Sequence, residues 1–390
     1  MKNNRTFLEK LLDGAEVEWK PLIKVASLTR GRVISKEYLA NNLGDYPVYS
    51  SQTVNNGEIG KINSFDFDGE FVSWTTDGAN AGTVFYRSGK FSITNVCGLI
   101  KIQNNLELNY KFLFYWLSIE AKNHVYSGMG NPKLMSHQME KILIPIPPLS
   151  VQTEIVKILD ALTALTSELT SELILRQKQY EYYREKLLSE EELGKVGFEW
   201  KTIDEISKKI SSGGTPTTSN NGYYDNGTIP WLRTQEVDFK EIWDTNIKIT
   251  EDALNNSSAK WIPANCVIVA MYGATVGKTA INKIPLTTNQ ACANIEINDK
   301  LACYRYIFHY LTSKYEYIKS LGSGSQTNIN AQIIKKLKVP VPPIEEQHRI
   351  VSILDKFETL TNSITEGLPL AIEQSQKRYE YYRELLLNFS

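Results

Sequence analysis

Two long polar stretches of the chain carry apolar residues at every third or fourth position. The first pattern begins near Ile155 and the second near Ile350. A repeat that averages about 3.5 residues is typical of a coiled-coil seam. A proline pair marks the start of each stretch. Proline is tolerated at the start of a helix because the backbone N–H groups of the first turn have no partner within the helix. The pattern predicts long helices over 149–190 and 343–389.

Each predicted helix has one apolar stripe that it cannot bury alone. A helix over 151–188 would extend about 57 Å. The simplest partner is the other helix, packed antiparallel alongside it. The alternative is a helical hairpin buried inside a larger core, which the acidic opposite face (Glu168 and Glu172) disfavours.

The remaining regions have a different pattern. Short runs of β-branched and aromatic residues, such as GEFVSWTT at 69–76, are bounded by glycine, asparagine and aspartate. Helical spacing recurs over Leu106–Ala121 and Ala302–Ile318. These features predict an α+β class, with tandem mixed domains over 17–148 and 198–342, each built on an irregular, curved sheet.

The two halves of the chain repeat one another. The sequence YEYYRE occurs within 179–188 and again within 378–387, and IPIPPLSVQTEIVKILD (144–160) matches VPVPPIEEQHRIVSILD (339–355). GANAGTVF and GATVGKTA form a third pair, and Glu-Trp-Lys recurs at the start of each predicted domain. The chain is therefore a tandem duplication of one domain and one helix.

Composition excludes several classes of protein. The chain has 390 residues, 42% of them hydrophobic, and a net charge of −1. That composition is incompatible with a disordered or collagen-like chain. The four cysteines have no paired spacing, and no apolar run reaches the roughly 18–20 residues of a membrane span. We expect a reduced, cytoplasmic protein.

The balance of charge differs between the predicted domains and the predicted helices. The two mixed domains carry 13 basic against 11 acidic and 16 against 13 side chains, whereas the helical stretches carry 6 against 9 and 5 against 8. Only the mixed domains have a basic excess. That excess alone is weak evidence for a nucleic-acid partner.

The chain contains no recognisable catalytic motif. GATVGKT has three residues between its glycines where a phosphate-binding loop needs four, and its duplicate lacks the lysine. The four histidines show no ligand spacing with one another or with cysteine, and no nucleophile elbow occurs. We therefore predict no catalytic and no metal site. A large, duplicated chain of this kind is most consistent with a recognition scaffold.

The order and duplication of these motifs resemble the specificity subunits of type I DNA restriction–modification systems. The matching features are the two-copy layout, the proline-rich hinge followed by QxxIVxILD or its variant, and the tyrosine-rich helix ending in YEYYRE. The second copy adds SSGGTP, IPWLRTQEV, TTNQA and GSGSQTNI. The first copy matches this pattern less closely.

The resemblance implies a function and a set of partners. Each mixed domain would be a target-recognition domain over one half of a bipartite site in double-stranded DNA, and the paired helices would be the spacer. Partners would be a methyltransferase subunit, in two copies, and an endonuclease or translocase subunit. S-adenosylmethionine, ATP and Mg would be bound by those partners, and this chain would hold no cofactor.

The same resemblance, with the chemistry of base edges, suggests DNA-contacting residues. An arginine fork suits guanine and an amide suits adenine. For the first domain these residues are Ser51, Gln52, Asn55, Asn80, Asn131 and Lys133. For the second domain they are Arg233, Thr234, Gln235, Tyr272, Thr275, Lys278, Ser323, Ser325, Gln326 and Thr327.

Other interpretations remain open from the sequence. Each suggested contact could instead be a loop-stabilising side chain. Asn95 and Asn289 are better explained as backbone caps, and Trp74 and Trp231 as core residues. The chain could also serve a two-component restriction–modification system, act as a non-catalytic DNA-binding scaffold, or be an unrecognised enzyme or an adhesion repeat protein.

Overall fold

The computed structural model of the chain describes residues 6–128, 130–322 and 328–389. They form two compact units. Unit 1 contains the chain up to Leu169 together with the stretch that begins at Ala371, and unit 2 contains Thr170–Leu370. No helix within the described residues is long and apolar enough to cross a membrane.

Unit 1 is built on a six-stranded sheet with the strand order β2-β7-β5-β6-β3-β4 and a separate pair, β1-β8. All neighbours are antiparallel except β3 and β6. The strands are β1 (Glu18–Pro21), β2 (Ala26–Arg30), β3 (Leu43–Tyr49), β4 (Glu58–Ile62), β5 (Phe67–Thr75), β6 (Val84–Ile93), β7 (Cys97–Ile102) and β8 (Leu143–Ile146). The helices are α1 (Phe7–Leu12), α2 (Leu22–Val25), α3 (Lys36–Asn41), α4 (Tyr110–Glu120), α5 (Ser136–Met139), the first half of α6 (Leu149–Leu187) and most of α13 (Leu368–Leu386).

The second half of β5, from Phe71 to Thr75, is buried on both faces of this sheet. On one face Val72 and Trp74 pack with Phe112 of α4, in the main core of the unit. On the other face Phe71 packs with Phe91 and its aromatic neighbours. A strand buried on both sides reads as a continuous apolar run, which explains the FVSW sequence at this position.

Unit 2 contains a five-stranded sheet, β10-β18-β15-β16-β12, a four-stranded sheet, β13-β11-β17-β14, and the pair β19-β9. Its strands are β9 (Glu199–Thr202), β10 (Ser207–Ser212), β11 (Ile229–Leu232), β12 (Lys240–Ile242), β13 (Lys248–Ile249), β14 (Trp261–Ile262), β15 (Val267–Ala270), β16 (Thr279–Asn282), β17 (Leu286–Thr288), β18 (Cys292–Ile297) and β19 (Lys338–Val341). Its helices are α7 (Glu190–Gly194), α8 (Glu251–Asn255), α9 (Tyr304–Ser313), α10 (Tyr315–Ser320), α11 (Ala331–Lys336), α12 (Ile344–Asn362) and the second half of α6.

The long helices run antiparallel within each unit. In unit 1 the hydroxyl groups of Thr166 and Ser375 are 2.8 Å apart, while Leu159 and Leu386 share the core. In unit 2 the ring of Tyr183 in α6 stacks on Phe357 of α12, with 5.6 Å between centroids. The prediction of an α+β fold with two tandem domains and paired long helices is confirmed.

The second helical stretch is not continuous, so the prediction of one helix over 343–389 is wrong. Helix α12 ends at Asn362 and α13 begins at Leu368. Gly367 has a φ of 86°, and the Ser363 hydroxyl accepts a hydrogen bond from the backbone N–H of Glu366. Helix α12 ends because Ser363 is extended, with a φ of −70° and a ψ of 130°. The left-handed Gly367 directly precedes α13, whose second residue, Pro369, is tolerated because it lies in the first turn.

The repeat explains where this break lies. Corresponding residues are 195 positions apart at Asp160 and Asp355, but 199 apart at Tyr180 and Tyr379. The second stretch therefore contains four additional residues between these points. The non-helical connection between α12 and α13 lies in the same interval, which indicates that the extra residues are accommodated there.

A buried glutamine joins each domain to its long helix. In unit 1 the side-chain oxygen of Gln152 accepts the backbone N–H of Asn109 at 2.9 Å, one residue before α4 begins. In unit 2 the oxygen of Gln347 accepts the N–H of Cys303 at 2.8 Å, and its amide donates to the carbonyl of Pro342 at 2.8 Å. The same bond thus fixes the start of the domain helix in both units.

An aspartate further along the long helix completes this attachment. Asp160 accepts hydrogen bonds from the ammonium of Lys111 and the hydroxyl of Tyr115, both on α4. Asp355 accepts them from Arg305 and His309 on α9. We call each glutamine–aspartate pair, with its partners, the helix clamp.

We predict that Gln347→Ala destabilises unit 2. The substitution leaves the N–H of Cys303 and the carbonyl of Pro342 unpaired in the core, and each buried unpaired group costs about 1–3 kcal/mol. The check is urea unfolding of the full chain, with Gln332→Ala on the exposed face of α11 as the control. Equal stability of the two variants would contradict the clamp.

Candidate nucleic-acid interface

The same glycine turn lies between two core strands in each unit. In unit 1 it connects β5 to β6 through Gly78 and Gly82, with φ values of 89° and 79°. In unit 2 it connects β15 to β16 through Gly273 and Gly277, both with a φ of 82°. Such angles favour glycine because it lacks a Cβ atom. The repeated GxxxG spacing therefore encodes a turn in both units.

Three loops meet around this turn in unit 1, and we call residues 50–57, 76–83, 126–128 and 130–134 the first loop cluster. The side-chain amide of Asn80 donates to the carbonyl of Ser51 at 2.9 Å. The N–H of Gly78 donates to the carbonyl of Pro132 at 3.0 Å. These cross-loop bonds bring together three segments that are far apart in the sequence.

All six sequence-predicted residues of the first domain lie on the first loop cluster. Asn80 is partly buried and holds the loops together, and Gln52 donates to the carbonyl of Glu58 at 2.5 Å. The side chains of Asn55, Asn131 and Lys133 are exposed. The predicted set therefore contains two kinds of residue, those that hold the loops together and those that face the solvent. Ser51 belongs to the first kind, because its carbonyl accepts the hydrogen bond from Asn80.

A buried arginine supports this cluster from below. The guanidinium of Arg87 lies 3.6 Å from the ring centroid of Tyr49 and donates to the hydroxyl of Ser73 and the carbonyl of Asn56. Burial lowers the pKa of Arg87 to about 10, so the group stays charged at neutral pH. Asn55 and Asn56 both have a positive φ, and Arg87 thus fixes a strained segment of the cluster.

Two arginines, the half-buried Arg30 and the exposed Arg32, border the first loop cluster and were not predicted from the sequence. Arg30 donates to the carbonyl of Asn95 at 2.6 Å, and Arg32 pairs with Asp66 at 2.9 Å. Arg32 also forms a bridge with Thr94, whose N–H donates to Tyr49. The signal available in the sequence was Arg-Gly-Arg at the end of a strand.

Unit 2 has a corresponding set of loops, and we call residues 213–216, 232–238, 271–278 and 288–291 the second loop cluster. The hydroxyl of Thr275 donates to the carbonyl of Thr234 at 2.7 Å. Backbone bonds from Gly214 to Thr288 and from Asn289 to Leu232, each 2.9 Å, join the other loops. The framework therefore again consists of cross-loop hydrogen bonds.

The predicted residues of the second domain have different environments. Gln235 and Tyr272 are exposed, whereas Thr234 is buried beneath the loop. Lys278 pairs with Asp238 at 2.6 Å and lies over the ring of Phe239. Arg233 lies 3.9 Å from a carboxylate oxygen of Glu236, and Thr275 holds two loops together. Ser323, Ser325, Gln326 and Thr327 lie outside the described residues.

The two tryptophans that the sequence suggested as core residues are buried, whereas the contacts that the structure describes for Asn95 and Asn289 are not the predicted side-chain caps of backbone groups. Trp74 donates to the carbonyl of Leu134 at 2.9 Å, and Trp231 donates to that of Gly214 at 3.0 Å. Both indole rings lie in the core. The side-chain oxygen of Asn289 accepts a hydrogen bond from the thiol of Cys292, and the backbone carbonyl of Asn95 accepts one from the guanidinium of Arg30.

One group of side chains has the composition of a metal site. Ligand atoms of His309, Asp355 and Glu358 lie within 4.8 Å of one another. The guanidinium of Arg305 already bonds to both carboxylates, at 2.7 and 3.1 Å. Burial raises the pKa of Asp355, but the bonds from His309 and Arg305 reverse that effect and leave it lowered. The group is thus an ion-pair network of the clamp, and the absence of a metal site stays a prediction.

Comparison with known proteins identifies the family. The model of the type I restriction modification DNA specificity domain matches residues 15–176 and 195–374. The chain belongs to this family. It is 38% identical to the EcoR124I/EcoR124II specificity subunit of Escherichia coli, over 98% of this chain and 97% of that one.

Two further comparisons agree with this assignment. A chain of Haemophilus influenzae described as a type I restriction enzyme specificity subunit is 41% identical over the full length of both chains. The fold is similar to the crystal structure of a type I system S subunit from M. genitalium, with a TM-score of 0.60. That likeness covers 99% of this chain and 96% of the other at 16% identity, so it concerns the fold alone.

For this specificity subunit we predict that Arg87→Met loosens the first loop cluster. Methionine fills a similar volume but leaves the Ser73 hydroxyl and the Asn56 carbonyl unpaired, at a cost of about 1–3 kcal/mol each. Hydrogen exchange of peptides spanning 50–60 should accelerate. The exposed Lys90→Met is the control, and unchanged exchange in the Arg87 variant would contradict the supporting role.

Proposed function

We propose that this chain is the non-catalytic subunit that gives a type I restriction–modification complex its DNA sequence specificity. Each loop cluster binds one half of a bipartite target in double-stranded DNA. The observation that carries the proposal is the pair of loop clusters, which share one hydrogen-bonded framework but present different exposed side chains. Two similar platforms with different surfaces suit two different half-sites.

The repeated framework extends beyond the glycine turns. The N–H of Leu134 donates to Thr76 at 2.9 Å, and that of Ile329 donates to Met271 at 3.0 Å. These donors are 195 positions apart, like the two acceptors. The polypeptide geometry is thus maintained in both copies, whereas the exposed residues are free to differ. Differences confined to exposed side chains are expected of residues that read base edges.

Different residues of the clusters make the phosphate contacts and the base contacts. Cations supply position and salt-dependent affinity, and Arg32 and Lys133 lie at the first cluster in exposed or partly exposed positions. Amide side chains can form paired hydrogen bonds with adenine, and Asn131 and Gln235 are exposed amides on the two clusters. Lys278, held by Asp238, is better placed to order its own loop.

The long helices are proposed to set the gap between the half-sites. Helix α6 contains 39 residues, which corresponds to about 59 Å of continuous helix. A stiff helical pair fixes a distance, which a flexible linker does not. Half-sites on one face of the duplex recur once per turn, or about 34 Å.

Catalysis is proposed to belong to partner chains. Those partners are a methyltransferase subunit, in two copies, and an endonuclease or translocase subunit. S-adenosylmethionine, ATP and Mg would bind to them and not to this chain. The relatives named as specificity subunits, and a similar fold described in connection with complex assembly of a type I system, support this division of labour.

We predict that single amide substitutions each relax one half of the target. Gln235→Ala should cost about 1–3 kcal/mol of base discrimination at one position of one half-site. Asn131→Ala should do the same in the other half-site. Each variant is the control for the other, because both remove one exposed amide. The measurement is selection of bound sequences from a random DNA pool by the assembled methyltransferase complex.

The outcome of that selection is decisive for the role of the clusters. The proposal requires that each variant alters one half and leaves the other unchanged. Loss of preference at both halves in either variant would show that the units do not read DNA separately.

We also predict that helix length controls the gap. Inserting one heptad into α6 and one into α12 should lengthen the unspecified segment and preserve both half-sites, because a heptad maintains the apolar seam. The same selection measures the gap. An unchanged gap in a complex that still binds its half-sites would contradict the spacer role.

A further inference from the structure

A groove on unit 2 borders the second loop cluster, because Lys319 of α10 lies next to Gly277. Its volume is about 860 Å³, and it is lined by α9, α10, α11 and the β9–β19 pair. We call it the lysine groove, after Lys314, Lys336 and Lys338. None of the base-reading residues proposed above contributes to its lining.

The groove combines an apolar floor with exposed aromatic side chains. Ile318 and Leu337 form part of the floor and are almost fully buried, at 1% and 6% exposure. Trp200 and Tyr317 form part of the wall and are 44% and 58% exposed. Tryptophan and tyrosine dominate the binding energy of protein interfaces, and an apolar patch with a polar rim marks such a site.

The tryptophan of this wall is repeated in the other unit. Trp19 occupies the corresponding place in the duplicated Glu-Trp-Lys sequence and is 40% exposed. Each lies on a two-stranded pair, where Trp19 faces Pro145 and Trp200 faces Pro340. A large aromatic side chain that stays exposed in both copies indicates a surface feature of the repeat rather than an isolated exception.

The charge of the lysine groove specifies its occupant. The lining contains three lysines and no carboxylate. Within the ranges that the structure describes, none of Lys314, Lys336 and Lys338 takes part in an ion pair. The ammonium of Lys314 instead lies 5.7 Å from the ring centroid of Tyr310. An occupant with carboxylates would neutralise this charge.

We infer that the lysine groove is the docking site for an amphipathic helix of a partner protein, which inserts apolar anchors and places carboxylates against the lysines. The inference rests on the proposed function, in that the partner is the methyltransferase subunit. DNA is the less favoured occupant, because a phosphate backbone would satisfy the lysines but leave the apolar floor uncovered. A helix in a groove buries both at once.

A photo-crosslinker identifies the occupant directly. Tyr317 is replaced by p-benzoylphenylalanine in the full chain, which is then assembled with the methyltransferase subunit and target DNA and irradiated. The expected adduct is a methyltransferase peptide with helical apolar spacing and several carboxylates. An adduct with DNA, an adduct with a second copy of this chain, or no adduct in the assembled complex would overturn the inference.

Charge reversal tests the electrostatic part. Lys336→Glu together with Lys338→Glu should weaken assembly with the methyltransferase subunit at least tenfold, because like charges then face each other. Lys209→Glu together with Lys300→Glu, two exposed lysines elsewhere on unit 2, is the matched control and should assemble normally. Equal affinity of both double variants would overturn the inference.

The wild-type complex distinguishes failure of the docking inference from failure of the proposed function. If it selects a bipartite DNA sequence while the groove variants assemble normally, only the docking inference fails. If the wild-type complex forms but selects no sequence, the proposed function fails first.

Discussion

The helix clamp is the contact on which the arrangement of each unit depends. A buried glutamine and an aspartate, eight residues apart on one long helix, bond to the first turns of the domain helix. This pair is Gln152 and Asp160 in unit 1, and Gln347 and Asp355 in unit 2. The domain helix packs against the sheet, and the sheet carries the glycine turn. The clamp thus relates the position of the loop cluster in each unit to the axis of its long helix.

The chemistry of the clamp differs between the units while its geometry is retained. A lysine and a tyrosine donate to the aspartate of unit 1, whereas Arg305 and His309 donate to that of unit 2. The second version adds Glu358, whose pKa is raised by burial. Duplication followed by such substitutions maintains a common frame and leaves the exposed loop residues free to diverge, which is the requirement for recognising two different half-sites.

Patterns within a short segment were sufficient to predict much of this structure. Apolar spacing predicted α6. The GxxxG segments were recognised from the sequence only as a repeat, and the structure shows that they form the turn between core strands. The break in the second helix was also encoded locally, by Gly367 and Pro369 and by the four additional residues, but the apolar seam continues on both sides and concealed it. Contacts between distant residues could not be predicted. Arg87 reaches Asn56 across 31 positions, and His309 reaches Asp355 across 46.

The central claim is that each unit independently reads one half of a gapped DNA target. The most direct measurement replaces residues 198–342 with the corresponding domain of another specificity subunit and co-expresses the chain with its methyltransferase subunit in a methylation-free host. Modification-sensitive sequencing of the genome then reports the target. We predict a two-part motif in which one half changes, while the other half and the gap remain. A contiguous motif, or a change in both halves, would contradict this account.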